Sequence, residues 1–226
     1  MPRRDLNDNT AWDDCREAVV YSKSNVAVAA TPNKELGPLG LPFGLLLVTW
    51  GVLDAARLQA GDGIVQSNAL VRLRDAETAV VVTNVHHDTL ALVRQKRGDP
   101  LFVLLFPNTL SDILKRALAG VTAVAKVLLL KLGQPGTPKA LSEANAAPLQ
   151  VAINQAAGAL DNRLQAVAIR DAGSQAVKQY KTDVNAALRL LESELSKFAV
   201  IHKKPPQWVN AFFLPPKPTK VKPAAV

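Results

Sequence analysis

The sequence predicts an all-α fold, an elongated bundle of about six helices followed by an extended, basic, Pro-rich tail, for this 226-residue chain. Three observations carry that prediction. Apolar residues recur at spacings of three and four over long stretches, which keeps one face of an α-helix turned toward a core. Apolar residues make up 48% of the chain but aromatics only 5%, so the core must be mostly Leu, Val and Ala, which suits close helix packing better than sheet packing. Groups of Gly and Pro at 37–44, 61–63, 98–100 and 133–138 divide the periodic stretches into helix-length pieces.

The longest periodic run is 149–202. Its first stripe is Ile153, Ala157, Leu160, Leu164 and Val167, and its second is Val177, Tyr180, Val184, Leu188, Leu191, Leu195 and Phe198. Between them Arg170, Asp171, Gly173, Ser174 and Gln175 shift the phase by one residue. A single helix over this run would be about 80 Å long at 1.5 Å per residue. Alternatively Gly173 is a C′ residue and Ser174 an N-cap, which gives two antiparallel helices. The phase shift favours the break.

Earlier in the chain, Thr10 with Asp13 reads as a capping box opening a helix through Trp12, Cys15, Ala18, Val19 and Val26, which ends before Thr31-Pro32. The 18 residues from Leu36 to Leu53 carry no charge. Because Gly and Pro break the first half of that segment, it reads as a buried core helix from Pro42 to about Ala60 rather than a membrane span, which needs about 20 apolar residues. Gly61-Asp62-Gly63 reads as a turn or kink. A second long helix is expected over 64–97, with Leu70, Leu73, Val80, Val81, Val85, Ala91 and Leu92 inward and Arg72, Arg74, Asp75 and Glu77 outward. Asp99 is placed as the N-cap and Pro100 as the first residue of a short apolar piece ending at Pro107. Thr109 with Asp112 opens a further helix whose inner face is Leu110, Ile113, Leu114, Ala117, Val121, Val124 and Leu128.

Two halves, 9–107 and 108–202, show a faint echo. Arg74-Asp75-Ala76 is matched by Arg170-Asp171-Ala172, and Leu105-Phe106-Pro107 by Phe213-Leu214-Pro215. The separations differ, 32 residues from Asp75 to Pro107 against 44 from Asp171 to Pro215, and no fixed period survives, so chance similarity is the favoured reading. Taken as real, the echo implies two similar helical units within a bundle over 1–202, followed by a Pro/Lys-rich tail over 203–226.

The net charge is +8, divided as −1 over 1–100, +4 over 101–200 and +5 over 201–226. More than half of the excess therefore lies in the tail, which is not the footprint of a duplex binder with Lys and Arg striped along one face. Cys15, the single cysteine, excludes an internal disulfide, and no apolar h-region follows the charged N-terminus, so a cytoplasmic location is expected. His86-His87-Asp88 is the one cluster of metal-competent side chains. Adjacent histidines on a helix diverge by about 100° and do not share an ion, so no metal is expected. The sequence has no P-loop, Gly-rich dinucleotide fingerprint, nucleophile elbow or di-iron Glu-x-x-His motif. Neither an enzyme nor a cofactor is expected.

Trp208, Phe212 and Phe213, followed by Lys217, Lys220 and Lys222, read as a docking segment. The aromatics seek a groove on their own bundle or on another protein, and the lysines an acidic partner. The functional expectation is a non-enzymatic structural or protein-interaction subunit that self-associates. One alternative is a helical protein that associates with a membrane through 39–53, and another is non-specific nucleic-acid binding through the basic tail.

Overall fold

The computed structural model describes residues 5–7 and 9–215, and among them there is no strand. In chain order the elements are α1 (Trp12–Ala30), a 3-10 helix (Lys34–Gly40), α2 (Leu41–Leu92), α3 (Pro100–Leu105), α4 (Leu110–Leu114), α5 (Leu118–Leu132), α6 (Lys139–Ile201) and α7 (Pro206–Asn210). The all-α expectation holds. The extended tail that the sequence predicts beyond Pro215 lies outside the described residues.

The chain divides into two compact units. One contains Met1–Leu58 and Asp171–Val226, the other Gln59–Arg170, so α2 and α6 each contribute to both. This division differs from the cut at 107/108 read from the sequence echo.

In the first unit α1, the 3-10 helix, the start of α2 and the end of α6 enclose a core that includes Val19, Val26, Leu36, Phe43, Tyr180, Val184, Leu188, Leu191 and Leu195. Trp12 links three of these elements. It stacks on Trp50 at 5.5 Å between centroids, meets the edge of Tyr180 at 5.2 Å, and donates from Nε1 to Asp54 Oδ1 at 2.9 Å. The second stripe read from the sequence is the buried face of α6 from Tyr180 to Phe198. Leu6, Asn7 and Thr10 are held against that helix by two side chains one turn apart. Asn185 exchanges a pair of hydrogen bonds with the Leu6 backbone, and Lys181 Nζ donates to the carbonyls of Asn7 and Thr10. Thr10 is therefore not a helix cap. Its Oγ1 accepts from the Asn7 amide, and Ala11 occupies the N-cap position with no side-chain bond.

In the second unit the core includes Val82, Val85, Phe102, Phe106, Ile113, Val121, Ala125, Leu128, Leu149 and Ile153. Ala156 and Ala159 of α6 form a smaller cluster with Leu118, against which Leu70 and Val71 of α2 pack. Two expected helix starts are found as read. Asp99 accepts from the Leu101 amide ahead of Pro100, and Thr109 accepts from the Asp112 amide.

Other expectations need correction as well, among them Leu164 of the first α6 stripe, which is 68% exposed. Gly61-Asp62-Gly63 is not a turn, and α6 does not break at Gly173. Gly costs about 1 kcal/mol in a helix interior, whereas a break leaves up to eight further backbone groups without helical partners, so the helix runs through. α6 also begins at Lys139, ten residues before the predicted start, with Pro148 inside it. The helix opened by Thr109 ends at Leu114, and α5 starts afresh at Leu118. Gly120 allows that corner, because a Cβ there would lie 2.9 Å from Arg116 Cβ. Finally, α2 is rotated from its predicted phase. Leu73, Val80 and Leu92 are exposed and Thr78, Val82, His86, Thr89 and Leu90 are buried, while Val85 is buried as expected. Thr78 and Thr89 donate their hydroxyls to the carbonyls of Arg74 and Val85 at 2.7 Å, which lets a polar residue occupy a buried helical position.

Opposite outcomes are expected at two glycines. Gly173 has open space where a Cβ would sit, so Gly173→Ala should stabilise by about 0.5–1 kcal/mol, whereas Gly120→Ala should destabilise by roughly 1–3 kcal/mol. Leu191 is 2% exposed, and Leu191→Ala should cost about 2–5 kcal/mol. Urea titration of the three variants checks each sign; a destabilising Gly173→Ala would mean that the helix breaks there after all.

Candidate interaction surface

The segment read as a buried core helix is buried on one side only. Between Leu41 and Ala60 only Phe43 and Ala60 are buried, while Leu46, Leu47, Trp50 and Leu53 pack partly against the first unit's core. On the opposite side Leu41, Leu45, Val48 and Val52 are 70%, 72%, 68% and 65% exposed. Their spacing of four, three and four places them in one row along α2, and Ala55 continues it. The sequence pattern did not reveal this because apolar residues fill both faces, so periodicity has no polar side to mark as outside. The flanking Gly44, Thr49, Gly51 and Ala56 are uncharged and small, and no charged residue lies between Glu35 and Asp54.

This is also the one stretch among the described residues that is long and apolar enough to cross a membrane. Within Lys34–Leu92 an 18-residue window has a mean hydropathy of 1.7, and 11% of it is buried.

The six residues that the sequence marked for docking divide into two sets. Phe212 and Phe213 are buried in the first unit's core, and Trp208 packs partly against it. Trp208 stacks on Phe198 at 5.4 Å and meets Phe212 edge-on at 4.8 Å. The Phe212 carbonyl accepts a buried hydrogen bond from Ser22 Oγ at 2.9 Å, tying the segment to α1. Lys217, Lys220 and Lys222 lie outside the described residues.

The rings of His86 and His87, expected to diverge, meet edge to face at 5.8 Å between centroids. His86 is buried against the edges of Phe102 and Phe106, at 5.4 and 5.0 Å, whereas His87 is exposed. No three metal-competent side chains come together among the described residues. Asp88 instead accepts from Asn145 Nδ2 at 2.9 Å, pinning α2 to the buried start of α6. Cys15 is fully buried in the first unit's core.

Burial lowers the His86 pKa below its ordinary 6.5, and the positive charge of His87 and Arg97 lowers it further. The folded chain holds the ring neutral while the unfolded chain takes up the proton more readily. His86 therefore favours the folded state fully above about pH 6.5, and that contribution declines as pH falls through 6.5 toward the lower folded value. Urea midpoints of the second unit are expected to fall between about pH 7.5 and pH 5.5, above the carboxylate range, and His86→Leu should remove most of that slope. A wild-type slope that His86→Leu leaves unchanged would assign the effect to another group. Compared with known proteins, the chain matches no family model, no curated protein and no solved structure.

Proposed function

We propose that this chain is a non-enzymatic helical subunit that self-associates, with the outer face of α2 as the seam between copies. The observation that carries this reading is the exposed row Leu41, Leu45, Val48 and Val52. Alternating steps of four and three are the repeat that brings apolar knobs of two helices together along a shared seam. In such seams the flanking charges choose the partner. Here the flanks are Gly44, Thr49, Gly51 and Ala56, which select no oppositely charged partner and allow close approach. The same apolar row on a second copy is complementary to the first, as a two-fold interface requires.

The magnitudes favour a reversible dimer over an obligate one. A fully buried Leu or Val gains roughly 1.5–3 kcal/mol, and about two-thirds of each side chain remains to be buried. Eight such side chains from two copies supply on the order of 8–16 kcal/mol, against an association cost of about 4–15 kcal/mol. A gain near the top of that range, about 16 kcal/mol, against a mid-range cost of about 9 kcal/mol leaves about 7 kcal/mol, which corresponds to dissociation at roughly 10 μM, and any smaller gain gives a weaker dimer.

A second reading, adsorption to a lipid surface, rests on the uncharged window of mean hydropathy 1.7. Helices that lie on membranes carry Lys or Arg along the polar side of the apolar face, and no basic residue lies between Lys34 and Arg57. A helical partner fits this face better than lipid.

Sedimentation over roughly 1–100 μM tests the seam. Wild type is expected to pass from monomer to dimer, and the double variant Leu45→Lys, Val52→Lys to remain monomeric with an unchanged melting temperature at low concentration, since both positions face solvent. A wild type that stays monomeric, or a double variant that still dimerises, would overturn the proposal. Flotation of wild type, but not of the variant, with neutral phosphatidylcholine vesicles would transfer the face to the lipid reading.

A further inference from the structure

The second unit holds a cleft of about 530 Å³, which falls within the range of about 300–1,000 Å³ common for small-molecule sites. Its apolar floor includes Leu90, Phe102 and Phe106, and its polar wall includes His86, His87, Arg97 and Ser111. No carboxylate is among the lining residues. The nearest acids along the chain are already engaged: Asp112 accepts from the Thr109 hydroxyl at 2.6 Å, and Asp88 from Asn145. Thr109 therefore gives its proton to Asp112 and offers none to a ligand.

His86 is the unusual group in this wall. It is 8% exposed, and its Nδ1 is sealed off with no hydrogen-bond partner. A buried donor left unpaired costs more than a buried lone pair, so the neutral ring keeps its proton on Nε2. The imidazole thus presents a donor at its remaining accessible edge, alongside the guanidinium of Arg97 and the second imidazole of His87. Donors on one wall and aromatic rings on the floor complement a molecule with an acceptor head and a flat apolar body.

We propose that this cleft binds a small carboxylic acid with an aromatic or short aliphatic body. The carboxylate faces Arg97 and the accessible edge of His86, and the body rests on Phe102 and Phe106. An anion at this point also offsets the mutual repulsion of His87, Arg97 and a protonated His86. The site lies wholly within Gln59–Arg170 and does not depend on pairing through α2.

The probe is 2-naphthoate, with the isosteric neutral 2-naphthamide as its control, titrated into the full chain while the His86 ring signals are followed by NMR. Naphthoate is expected to shift those signals with a dissociation constant in the range of about 0.1–1 mM, and naphthamide to bind at least about fivefold more weakly, since a charge-assisted hydrogen bond is roughly twice as strong as a neutral one. The histidine pKa should rise when naphthoate is bound, which an apolar contact alone would not cause. Arg97→Gln lies at an exposed position and should bring naphthoate down to the affinity of naphthamide without altering the circular dichroism spectrum. Equal affinity for acid and amide, no shift at His86 with either, or an Arg97→Gln variant that binds naphthoate as wild type does would each overturn the proposal. The acid–amide comparison on wild type decides the matter even if the variant misfolds.

Discussion

The backbone hydrogen-bond ladders of α2 and α6, 52 and 63 residues long, are the constraint on which the rest of this structure depends. Each helix enters both compact units, so one continuous helix must present a suitable face to two separate cores. α6 does so with two stripes, one of Leu149, Ala152, Ile153, Ala156 and Ala159, the other from Tyr180 to Phe198. Between Asp161 and Gln179 no residue is buried, so that stretch rests on its own ladder and local propensity rather than on packing. Both ladders stop in the same way. Arg94 and Lys203 adopt left-handed backbone with φ of 50° and 48°, and the following residues, Gln95 and Lys204, donate back to the carbonyls of Leu90 and Ala199. Gly is the usual occupant of that position. Here a basic residue takes it, and positive charge at a helix C-terminus complements the helix dipole.

Around those two helices the units solve the burial of polar groups differently. The first unit secures its described chain ends with side chains from elsewhere in the fold: Asn185 holds Leu6, Lys181 holds Asn7 and Thr10, and Ser22 holds Phe212. Both ends of the described chain are thereby fastened to the core that Trp12, Trp50 and Tyr180 pin together. In the second unit the buried face of α2 is rich in Thr, and most of its polar demand is met within the helix by hydroxyls bonding one turn back. His86 Nδ1 and Asp75 Oδ1 are exceptions, buried without a hydrogen-bond partner. The unmet demand at His86 lies beside a cleft lined with donors, which separates this part of the face from an ordinary core.

The outer face of α2 has the opposite character. Its side chains carry no polar demand and lack only apolar contact. Surface apolar residues scattered singly are normal, but four in register on one helix, with the reverse side already packed, make a continuous strip. Such a strip has a defined register and direction, which a second helix can match. The proposed seam between copies rests on that register.

By itself the sequence determined what is decided within a few residues. The Asp99-Pro100 and Thr109–Asp112 starts, the stop after 201 and the stripe from Tyr180 to Phe198 were legible, because capping chemistry and a one-sided apolar pattern act locally. Tertiary structure decided the rest, wherever two local solutions lie within about 1 kcal/mol of each other or apolar residues outnumber the places on one face. Gly61, Gly63 and Gly173 signal breaks locally, yet keeping the ladder intact outweighs their cost. Leu73 and Val80 are as apolar as Val82 and Leu90, and only packing against other elements chose which pair is buried. The row Leu41, Leu45, Val48 and Val52 became visible as a surface only after Phe43, Leu47 and Trp50 had been placed in the core, since an all-apolar helix has no polar face to indicate where solvent lies.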